Sequence, residues 1–539
     1  MKKIIFLLLL NLLLFSCARV GAPNGGTRDS LAPKFLGSNI DTTRLNVSRT
    51  VKELRLDFDE YVMLKDFNKN FNVSPPIKKI KKVIPSNLAN KYVLIQWEDT
   101  LQANTTYNFN FGNAIVDNNE SNPLPYFNFA FSTGDKIDDL FVSGTVKDAM
   151  TLIKENQTAK DNKMVVGLYK AGENLDYKQK PDYITKVDEE NYFELNFLPK
   201  GEFVIIAFDD ENQNSVYDAG KEKVSFLKEK ITLDSTSVRG LKLKLYPSKK
   251  VVKYKESKAI NGGLLMTFEG NPETVEVKSL SEELKDFKVT HAKRSDSVNI
   301  WFDAEKSNLG GTVSKQLKLS YFTPTISDTI SVSYKAVKDE FKLSNEAGNL
   351  IAPENNFVIN TSLPIENLNT SSWKLESDSI AQDFTAKISE KNPFKILVNS
   401  SFKPTKKYVL TIPKETVSSY YSSNDKSFQF QFEIDKPENY GSFTAVIKNK
   451  PTAKFWVELT NEKGEILYSQ FTNASEVSFK NLKPATYIAR IRVDNNGNGF
   501  WDEADFAQNI AAEDVYIFEK EINVRPLWEI KEDWELTNR

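Results

Sequence analysis

The sequence predicts an all-β protein, with tandem Ig-like and prealbumin-like β-sandwiches in an extended multidomain chain. First, apolar residues alternate with polar ones in segments such as ELRLDFDE (53–60), TTYNFNFG (105–112) and YFNFAFST (126–133). This period of two places the apolar residues on one buried sheet face. Second, turn-forming residues recur about every eight to twelve positions, as in sandwiches. Third, long amphipathic helical patterns are lacking, and SLSEELKDF (279–287) is the one short helical candidate.

The N-terminus resembles a bacterial lipoprotein signal. Lys2 and Lys3 precede an apolar run from Ile4 to Phe15, which is too short for a membrane span and typical of a secretory signal. The run ends at Cys17, the only cysteine in the chain. The resemblance implies that residues 1–16 are a signal peptide and that Cys17 is lipidated. Several acyl chains there would hold the protein stably on a membrane, with residues 17–31 as a flexible tether.

The residues after Cys17 indicate where such an anchor would lie. Ala18 is not the aspartate that retains lipoproteins in the inner membrane, so the resemblance implies the outer membrane. The following ARVGAPNGG has no acidic cluster of the kind that sends Bacteroidetes-type lipoproteins to the cell surface. We therefore expect the periplasmic leaflet in preference to the cell surface.

The composition narrows the classes of partner. Removing Lys2 and Lys3 from the 71 basic residues leaves 69, against 73 acidic residues. This balance predicts no nucleic-acid partner. A single cysteine cannot form disulfides within the chain, so each module needs its own apolar core. Typical domain sizes allow three to five modules.

Two stretches of the chain repeat in the same order, which is the clearest indication of its organisation. TLQANTTYNFNF (100–111) matches SFKPTKKYVLTI (401–412) in pattern, and the alternating phenylalanines of 127–131 align with those of 428–432. Further on, residues 192–218 align without a gap with residues 476–502. We therefore predict two types of module, each present twice.

The first module resembles bacterial Ig-like domains of the SbsA type, through ELRLDFDEYV, TLQANTTYNFNF and YFNFAFSTGD. The second resembles prealbumin-like or CnaB/SdrD-type sandwiches, through the pattern of Phe193 to Asp218. The predicted modules are Ig-like (32–135), prealbumin-like (138–247), a β-sandwich of uncertain type (250–345), Ig-like (346–436), prealbumin-like (438–528) and a charged tail (529–539).

The stretch DNNGNGFWDEAD predicts a structural calcium loop. Counted from Asp494, side-chain oxygens fall at positions one, three, five, nine and twelve, on Asp494, Asn496, Asn498, Asp502 and Asp505. Gly499 lies at position six, and the carbonyl of Phe500 would be the ligand at position seven. This is the ligand order of an EF-hand loop, which winds tightly so that hard oxygens surround Ca²⁺. Asp505 is shorter than the usual glutamate, which would weaken binding.

An earlier stretch, DENQNSVYDAGKE, predicts a second and weaker calcium loop. Its candidate ligands are Asp210, Asn212, Asn214, the carbonyl of Val216, Asp218 and Glu222. Ser215 replaces the glycine, and Lys221 stands at position twelve, one residue before Glu222. Both stretches are also compatible with metal-free turns, because Asn, Asp and Gly are common in turns for local reasons.

The residues that catalysis commonly needs are scarce. His291 is the only histidine, and its polar, strand-like surroundings favour a solvated strand residue over a catalytic triad. We therefore predict a non-enzymatic, lipid-anchored scaffold or adhesion module of the cell envelope, whose protein or polysaccharide partner is unknown. One alternative is a glycan-binding accessory lipoprotein of a nutrient-uptake system, which would show exposed coplanar aromatic rings. Another is a histidine-independent hydrolase with two carboxylates in one cleft.

Overall fold

The computed structural model describes residues 29–152, 163–172, 175–337, 340–346 and 348–536. This part confirms the predicted all-β class, with 51% of residues in strands and 2% in helices. Within these ranges, no helix is long and apolar enough to cross a membrane. Cys17, the signal peptide and most of the tether lie outside the described residues.

The first module is a sandwich of two antiparallel sheets. Its elements are β1 (Phe35–Ser38), β2 (Glu53–Leu64), the helix α1 (Phe67–Asn70), β3 (Asn72–Ser74), β4 (Ile80–Ile84), β5 (Asn90–Trp97), β6 (Thr106–Gly112), β7 (Ile115–Asp117) and β8 (Phe127–Ser132). One sheet has the order β1-β2-β5-β4, with β7 also paired to β2, and the other has the order β3-β6-β8. Phe109 and Phe131, from two of the alternating segments, are fully buried between them.

The second module pairs a larger sheet with a three-stranded one. Its strands are β9 (Leu140–Asp148), β10 (Met164–Lys170), β11 (Tyr183–Lys186), β12 (Tyr192–Leu198), β13 (Gly201–Asp209), β14 (Val224–Phe226), β15 (Ile231–Leu233) and β16 (Val238–Leu245). The larger sheet has the order β11-β10-β13-β14, with β15 also on β13, and the smaller has the order β12-β9-β16. In the smaller sheet, β16 runs parallel to β9.

The third module is a seven-stranded sandwich. Its strands are β17 (Lys253–Ile260), β18 (Gly263–Glu269), β19 (Glu276–Ser279), β20 (Lys288–His291), β21 (Ser297–Trp301), β22 (Lys315–Phe322) and β23 (Ser327–Tyr334). They form sheets of order β17-β18-β21-β20 and β19-β22-β23. The helical candidate at 279–287 is wrong: the segment forms turns between β19 and β20. Leu284, 1% exposed, still joins the core, so burial there does not require a helix.

The fourth module begins earlier than predicted. Its elements are β24 (Leu343–Asn345), β25 (Leu350–Ile351), β26 (Phe357–Thr361), β27 (Asn367–Leu368), a 3-10 helix (Thr370–Ser372), β28 (Lys374–Ser377), β29 (Ile380–Ala381), β30 (Phe384–Ser389), β31 (Asn392–Ser400), β32 (Lys407–Ile412), β33 (Val417–Ser418) and β34 (Phe428–Ile434). The sheets have the orders β24-β26-β31-β30, β25-β34-β32-β28-β29 and β27-β33. Because β24 pairs with β26, the boundary between the third and fourth modules falls before β24 and not at residue 346.

The fifth module includes the charged C-terminal stretch. Its elements are a 3-10 helix (Pro437–Asn439), β35 (Gly441–Lys448), β36 (Phe455–Thr460), β37 (Ile466–Thr472), β38 (Glu476–Leu482), β39 (Ala485–Val493), β40 (Val515–Val524) and β41 (Glu529–Glu535). The sheets have the orders β38-β35-β41 and β37-β36-β39-β40. The predicted tail is therefore partly a strand: β41 runs parallel to β35 and buries Trp534 in the core.

Strand pairing in the structure agrees with both repeats seen in the sequence. Tyr107 pairs with Phe131 in the first module, and Tyr408 pairs with Phe432 in the fourth. Each tyrosine hydroxyl accepts a 2.8 Å hydrogen bond from the backbone N–H five positions earlier. The second and fifth modules share strand order, including a final strand parallel to the first, as β16 is to β9 and β41 is to β35. In both, the Asp/Asn stretch follows the equivalent strand, β13 or β39.

Candidate metal centre

The loop after β39 is organised around a buried carboxylate. Asp494 is 3% exposed, and its two oxygens accept 3.0 Å hydrogen bonds from the backbone N–H groups of Asn498 and Gly499. The turn passes through positive φ at Gly497 (+72°) and Gly499 (+83°), which glycine adopts without strain. Position one of the predicted loop therefore sets its curvature.

The two asparagines point their polar ends toward the same region of this loop. The Oδ1 atoms of Asn496 and Asn498 accept backbone N–H groups two residues further on, at 3.0 and 2.8 Å. Their amide groups both donate to Oδ2 of Asp502, at 2.5 and 2.8 Å. Predicted ligand positions one, three, five and nine thus belong to a single hydrogen-bonded network. At position seven, Phe500 donates its N–H to Asn498.

The carboxylate that closes this loop is Glu513, which the sequence interpretation did not include. Glu513 is 6% exposed, and its two oxygens accept the backbone N–H groups of Asn496 at 3.1 Å and Asp502 at 2.9 Å. Asp505, assigned to position twelve by the EF-hand spacing, instead accepts the N–H of Gln508 at 3.2 Å in a separate turn. The structure therefore brings Glu513, and not Asp505, to Asp502.

The loop after β13 has the same frame. Asp210, 5% exposed, accepts the N–H groups of Asn214 and Ser215, each at 3.0 Å. Asn212 donates its amide to Oδ2 of Asp218 at 2.7 Å. At position seven, the N–H of Val216 lies 2.6 Å from Oδ1 of Asn214. Ser215 adopts the positive φ (+61°) that Gly499 adopts in the second copy.

Glu222 closes the first loop in the way that Glu513 closes the second. It is 2% exposed and accepts the N–H groups of Glu211 at 3.1 Å and Asp218 at 2.9 Å. Glu222 follows Asp218 by four residues, whereas Glu513 follows Asp502 by eleven. The second copy therefore carries seven additional residues between its last two acidic positions. Glu513 lies nineteen residues after Asp494, outside the EF-hand spacing, so the spacing alone does not identify it in the sequence.

Several negative groups lie together in each loop. Burial, with a smaller contribution from Asp210 and Asp218, raises the pKa of Glu222 to about 7. Burial likewise raises the pKa of Glu513. Burial alone would raise the pKa of Asp502, but hydrogen bonds from Asn496 and Arg294 outweigh it and lower that pKa. Nη1 of Arg294, from the third module, lies 2.7 Å from Oδ1 of Asp502.

The potential ligand atoms of both loops are all oxygens. Among the described residues, no three His, Cys, Asp or Glu side chains are grouped closely enough to hold a metal by themselves. Each loop, however, combines three carboxylates with two asparagine carbonyl oxygens. All of these are oxygen donors, which suit Ca²⁺ and not the softer metals that select sulfur or imidazole. Binding would require the asparagine amide groups to turn away from Asp502 or Asp218.

Other candidate sites have less support in the described part of the chain. Nε2 of His291, at the end of β20, lies 3.0 Å from the carbonyl oxygen of Ser295. Two concave regions between the first and second modules contain one carboxylate each, Asp210 in one and Glu194 in the other. Neither provides the pair of carboxylates that the hydrolase alternative requires.

Each partly exposed tryptophan of the described residues contacts another group of the chain. Trp456 stacks on Phe471 with ring centroids 4.4 Å apart. Trp501 donates its ring N–H to the carbonyl of Glu513 at 3.1 Å and packs beside the loop. Trp528, 49% exposed, has the guanidinium of Arg525 4.9 Å from its ring centroid. Each of these rings is therefore partly covered by a neighbouring group of the chain.

Comparison with known proteins identifies the class of the first module. Residues 29–133 match the bacterial Ig-like domain family, in agreement with the resemblance proposed for 32–135. No curated protein matches the chain. The chain is thus a multidomain β-sandwich protein that includes a bacterial Ig-like domain.

Several solved structures are similar to the chain at low identity. The S-layer protein SbsC is 12% identical, with 92% of this chain and 67% of that chain covered and a TM-score of 0.15. The Bacteroides ovatus mixed-linkage glucan utilization locus protein SGBP-B, in complex with a heptasaccharide, is 9% identical, with coverages of 72% and 94% and a TM-score of 0.19. BcpA, the major pilin subunit of Bacillus cereus, is 11% identical, with coverages of 74% and 99% and a TM-score of 0.13. At these TM-scores the similarities support no inference about function.

Proposed function

We propose that the protein is a non-catalytic envelope scaffold of tandem β-sandwiches in which two loops bind structural calcium. The observation that carries this proposal is the hydrogen-bonded frame that the two loops share. In each, a buried aspartate accepts two backbone N–H groups of the turn, the first asparagine donates its amide to the next aspartate, and a buried glutamate closes the loop. A turn that needed only backbone capping would not require three carboxylates at equivalent positions twice.

A divalent cation would compensate the charge that these loops concentrate. The carboxylates of Asp210, Asp218 and Glu222 accept hydrogen bonds from backbone N–H groups and an asparagine amide. Placing several anionic groups in one partly desolvated turn is unfavourable without a positive partner. Ca²⁺ accepts six to eight oxygen ligands in flexible geometry. Its role here would be to stiffen the two loops and, by binding the folded state only, to stabilise it.

Calcium titration of the soluble mature protein by calorimetry tests this proposal. We expect two sites with dissociation constants on the order of 10⁻⁴ to 10⁻³ M, the range of extracellular modules. Asp494→Ala and Asp210→Ala should each remove one site, because each deletes the carboxylate at position one. Asp505→Ala, which alters an acidic residue outside the network, should keep both sites and serves as the matched control. No heat of binding in the wild-type protein, or an equal effect of all three substitutions, would refute the assignment.

The scaffold would be held at the envelope by the lipid anchor. This part of the proposal is supported by the apolar run of residues 4–15 and by Cys17, which follows it. We place the protein at the outer membrane, facing the periplasm, with an envelope protein or polysaccharide as its partner. Labelled fatty acid should be incorporated into the wild-type protein and not into Cys17→Ala. Incorporation into both would contradict anchoring at this residue.

A further inference from the structure

The seven additional residues of the second loop lie within a segment that leaves its own module. This segment, residues 503–512, is called the clasp here. Ala504 and Phe506 are 2% and 5% exposed. They belong to an apolar cluster whose other fully buried members all come from the second module: Val165, Tyr169, Ile184, Ile206, Phe208, Tyr217 and Val224. The clasp therefore connects the fifth module to residues of the second that lie about 280 to 340 positions earlier in the chain.

The ring of Phe506 fills an aromatic recess on the second module. Its centroid lies 4.4 Å from that of Tyr177, 5.1 Å from that of Phe226 and 5.9 Å from that of Tyr217. Aromatic pairs at such distances contribute beyond the apolar area that they bury. Phe506 thus has the character of an anchor residue in a pocket, the kind of contact that dominates interfaces.

Backbone hydrogen bonds fix the clasp beside the linker between the second and third modules. The N–H of Ala504 donates to the carbonyl of Pro247 at 3.1 Å, and the N–H of Lys249 donates to the carbonyl of Ala504 at 2.8 Å. Asn509 donates its amide to the carbonyl of Lys228 at 3.4 Å. The clasp is therefore held along its backbone as well as by its side chains.

The third module holds the start of the clasp through Arg294. The Nε atom of its guanidinium lies 2.5 Å from Glu273 of the same module, and its Nη1 atom lies 2.7 Å from Asp502. The same guanidinium lies 4.7 Å from the ring centroid of Phe500. Arg294 is fixed by one carboxylate within its module and bonded to another across the contact, so the pairing is geometrically specific.

The two copies of the module differ at the surface that the clasp covers. On the outer face of the second module, Val165 and Phe208 are cross-strand neighbours and both are buried. At the equivalent position of the fifth module the neighbours are Trp456 and Arg492, both only partly buried. The outer face of the second module is thus apolar, and the clasp covers it. Monomeric soluble proteins rarely leave large apolar patches exposed to solvent.

We propose that the outer face of the β11-β10-β13-β14 sheet is a docking surface for the clasp, and that this contact holds the chain folded back. Modules joined by linkers move relative to one another unless a sizeable apolar interface holds them. Phe506 and Ala504 supply an apolar contact of this kind with the second module, and the Asp502–Arg294 ion pair adds a contact with the third. The contact between the clasp and the second module would fix the orientation of the fifth module relative to the second. The inference goes beyond the proposed function, and Phe506 and Ala504 are not among the proposed calcium ligands.

Small-angle scattering of the soluble mature protein tests the proposal. In one variant, residues 503–512 are replaced by Ala-Gly-Lys, the residues that connect Asp218 to Glu222 in the first loop. The fifth module keeps its loop frame and Asp502, but the apolar docking residues Ala504 and Phe506 are lost. We expect the radius of gyration to increase by about 10% or more, because the end modules are released. Circular dichroism of the same sample checks that the β-structure is retained.

A pair of point variants keeps the test decisive if the replacement variant does not fold. Phe506→Ala removes the anchor ring, whereas Phe471→Ala removes a 44% exposed ring from the same module. Phe506→Ala should expand the chain and speed proteolysis at the linker near Pro247, and Phe471→Ala should do neither. If Phe506→Ala leaves both the radius of gyration and the linker cleavage unchanged, the clasp does not hold the chain folded back.

Discussion

Replacing Glu458 with alanine is expected to unfold the fifth module at a markedly lower temperature. The side chain of Glu458 is 1% exposed and lies on β36 between two arginines. Nε and Nη2 of Arg490 donate to it at 2.9 and 2.7 Å, and Nη2 of Arg492 donates at 2.5 Å. Alanine would leave two guanidinium groups side by side without their shared carboxylate. Removing one partner of a buried ion pair typically costs about 3 to 5 kcal/mol.

Differential scanning calorimetry measures this effect. For a module of about 100 residues, such a cost lowers Tm by more than about 10 °C. Glu465→Ala is the matched control, because Glu465 is an exposed glutamate of the same module that is bonded to Asn461. Its Tm should change by no more than about 2 °C, as expected for an exposed position. A Glu458→Ala shift as small as that of the control would show that the arginines find other partners.

The second large effect is expected at Asp117 in the first module. Asp117 is 1% exposed, and its carboxylate accepts four backbone N–H groups at 2.7 to 3.1 Å, from Asn119, Glu120, Ser121 and Asn122. Asp117→Ala leaves these donors to water or without a partner. Hydrogen bonds to a charged group contribute about 1.5 to 3 kcal/mol each, but water can bond to some of the freed N–H groups. We therefore expect the free energy of unfolding to fall by about 3 kcal/mol.

The effect at Asp117 should depend on pH. Burial opposes ionisation, but the four N–H groups outweigh it and lower the pKa of Asp117 in the folded protein. Because the pKa of Asp117 is lower in the folded protein than in the unfolded chain, its ionised carboxylate stabilises the folded protein. This stabilisation is complete at pH values above the unfolded-state pKa of about 3.9, and it is lost as the pH falls through the folded-state pKa. Urea unfolding should therefore separate wild type and Asp117→Ala widely at pH 7 and much less near pH 3. A difference of equal size at both values would contradict this origin.

The parts of the fold that follow from local periodicity were predictable. The alternating phenylalanines of 127–131 form β8, and their register with Tyr107 recurs in the fourth module. The charged C-terminal strand was missed because charged residues dominate it. Yet Ile530, Trp534 and Leu536 lie at even positions and form its inward face, so the period-two signal was present.

The geometry of the two loops was predictable in part. Positions one, three, five and nine follow from side-chain spacing within a single turn, and the structure joins them in one network. The clasp separates Glu513, the closing glutamate of the second loop, from the other loop residues. No spacing rule predicts an insertion of this length. The clasp contact was not predictable either. The apolar residues Val165 and Phe208 have the period of a buried strand, and the sequence does not indicate which surface covers them.

Calcium in the two loops is tested most directly by anomalous X-ray scattering from crystals grown with calcium. We predict one peak within about 2.3 to 2.6 Å of oxygens of Asp494, Asn498, Asp502 and Glu513. A second peak should lie at the equivalent oxygens of Asp210, Asn214, Asp218 and Glu222. Crystals grown with millimolar calcium that show neither peak, with the amide groups of Asn496 and Asn212 still bonded to Asp502 and Asp218, would contradict the proposed metal sites.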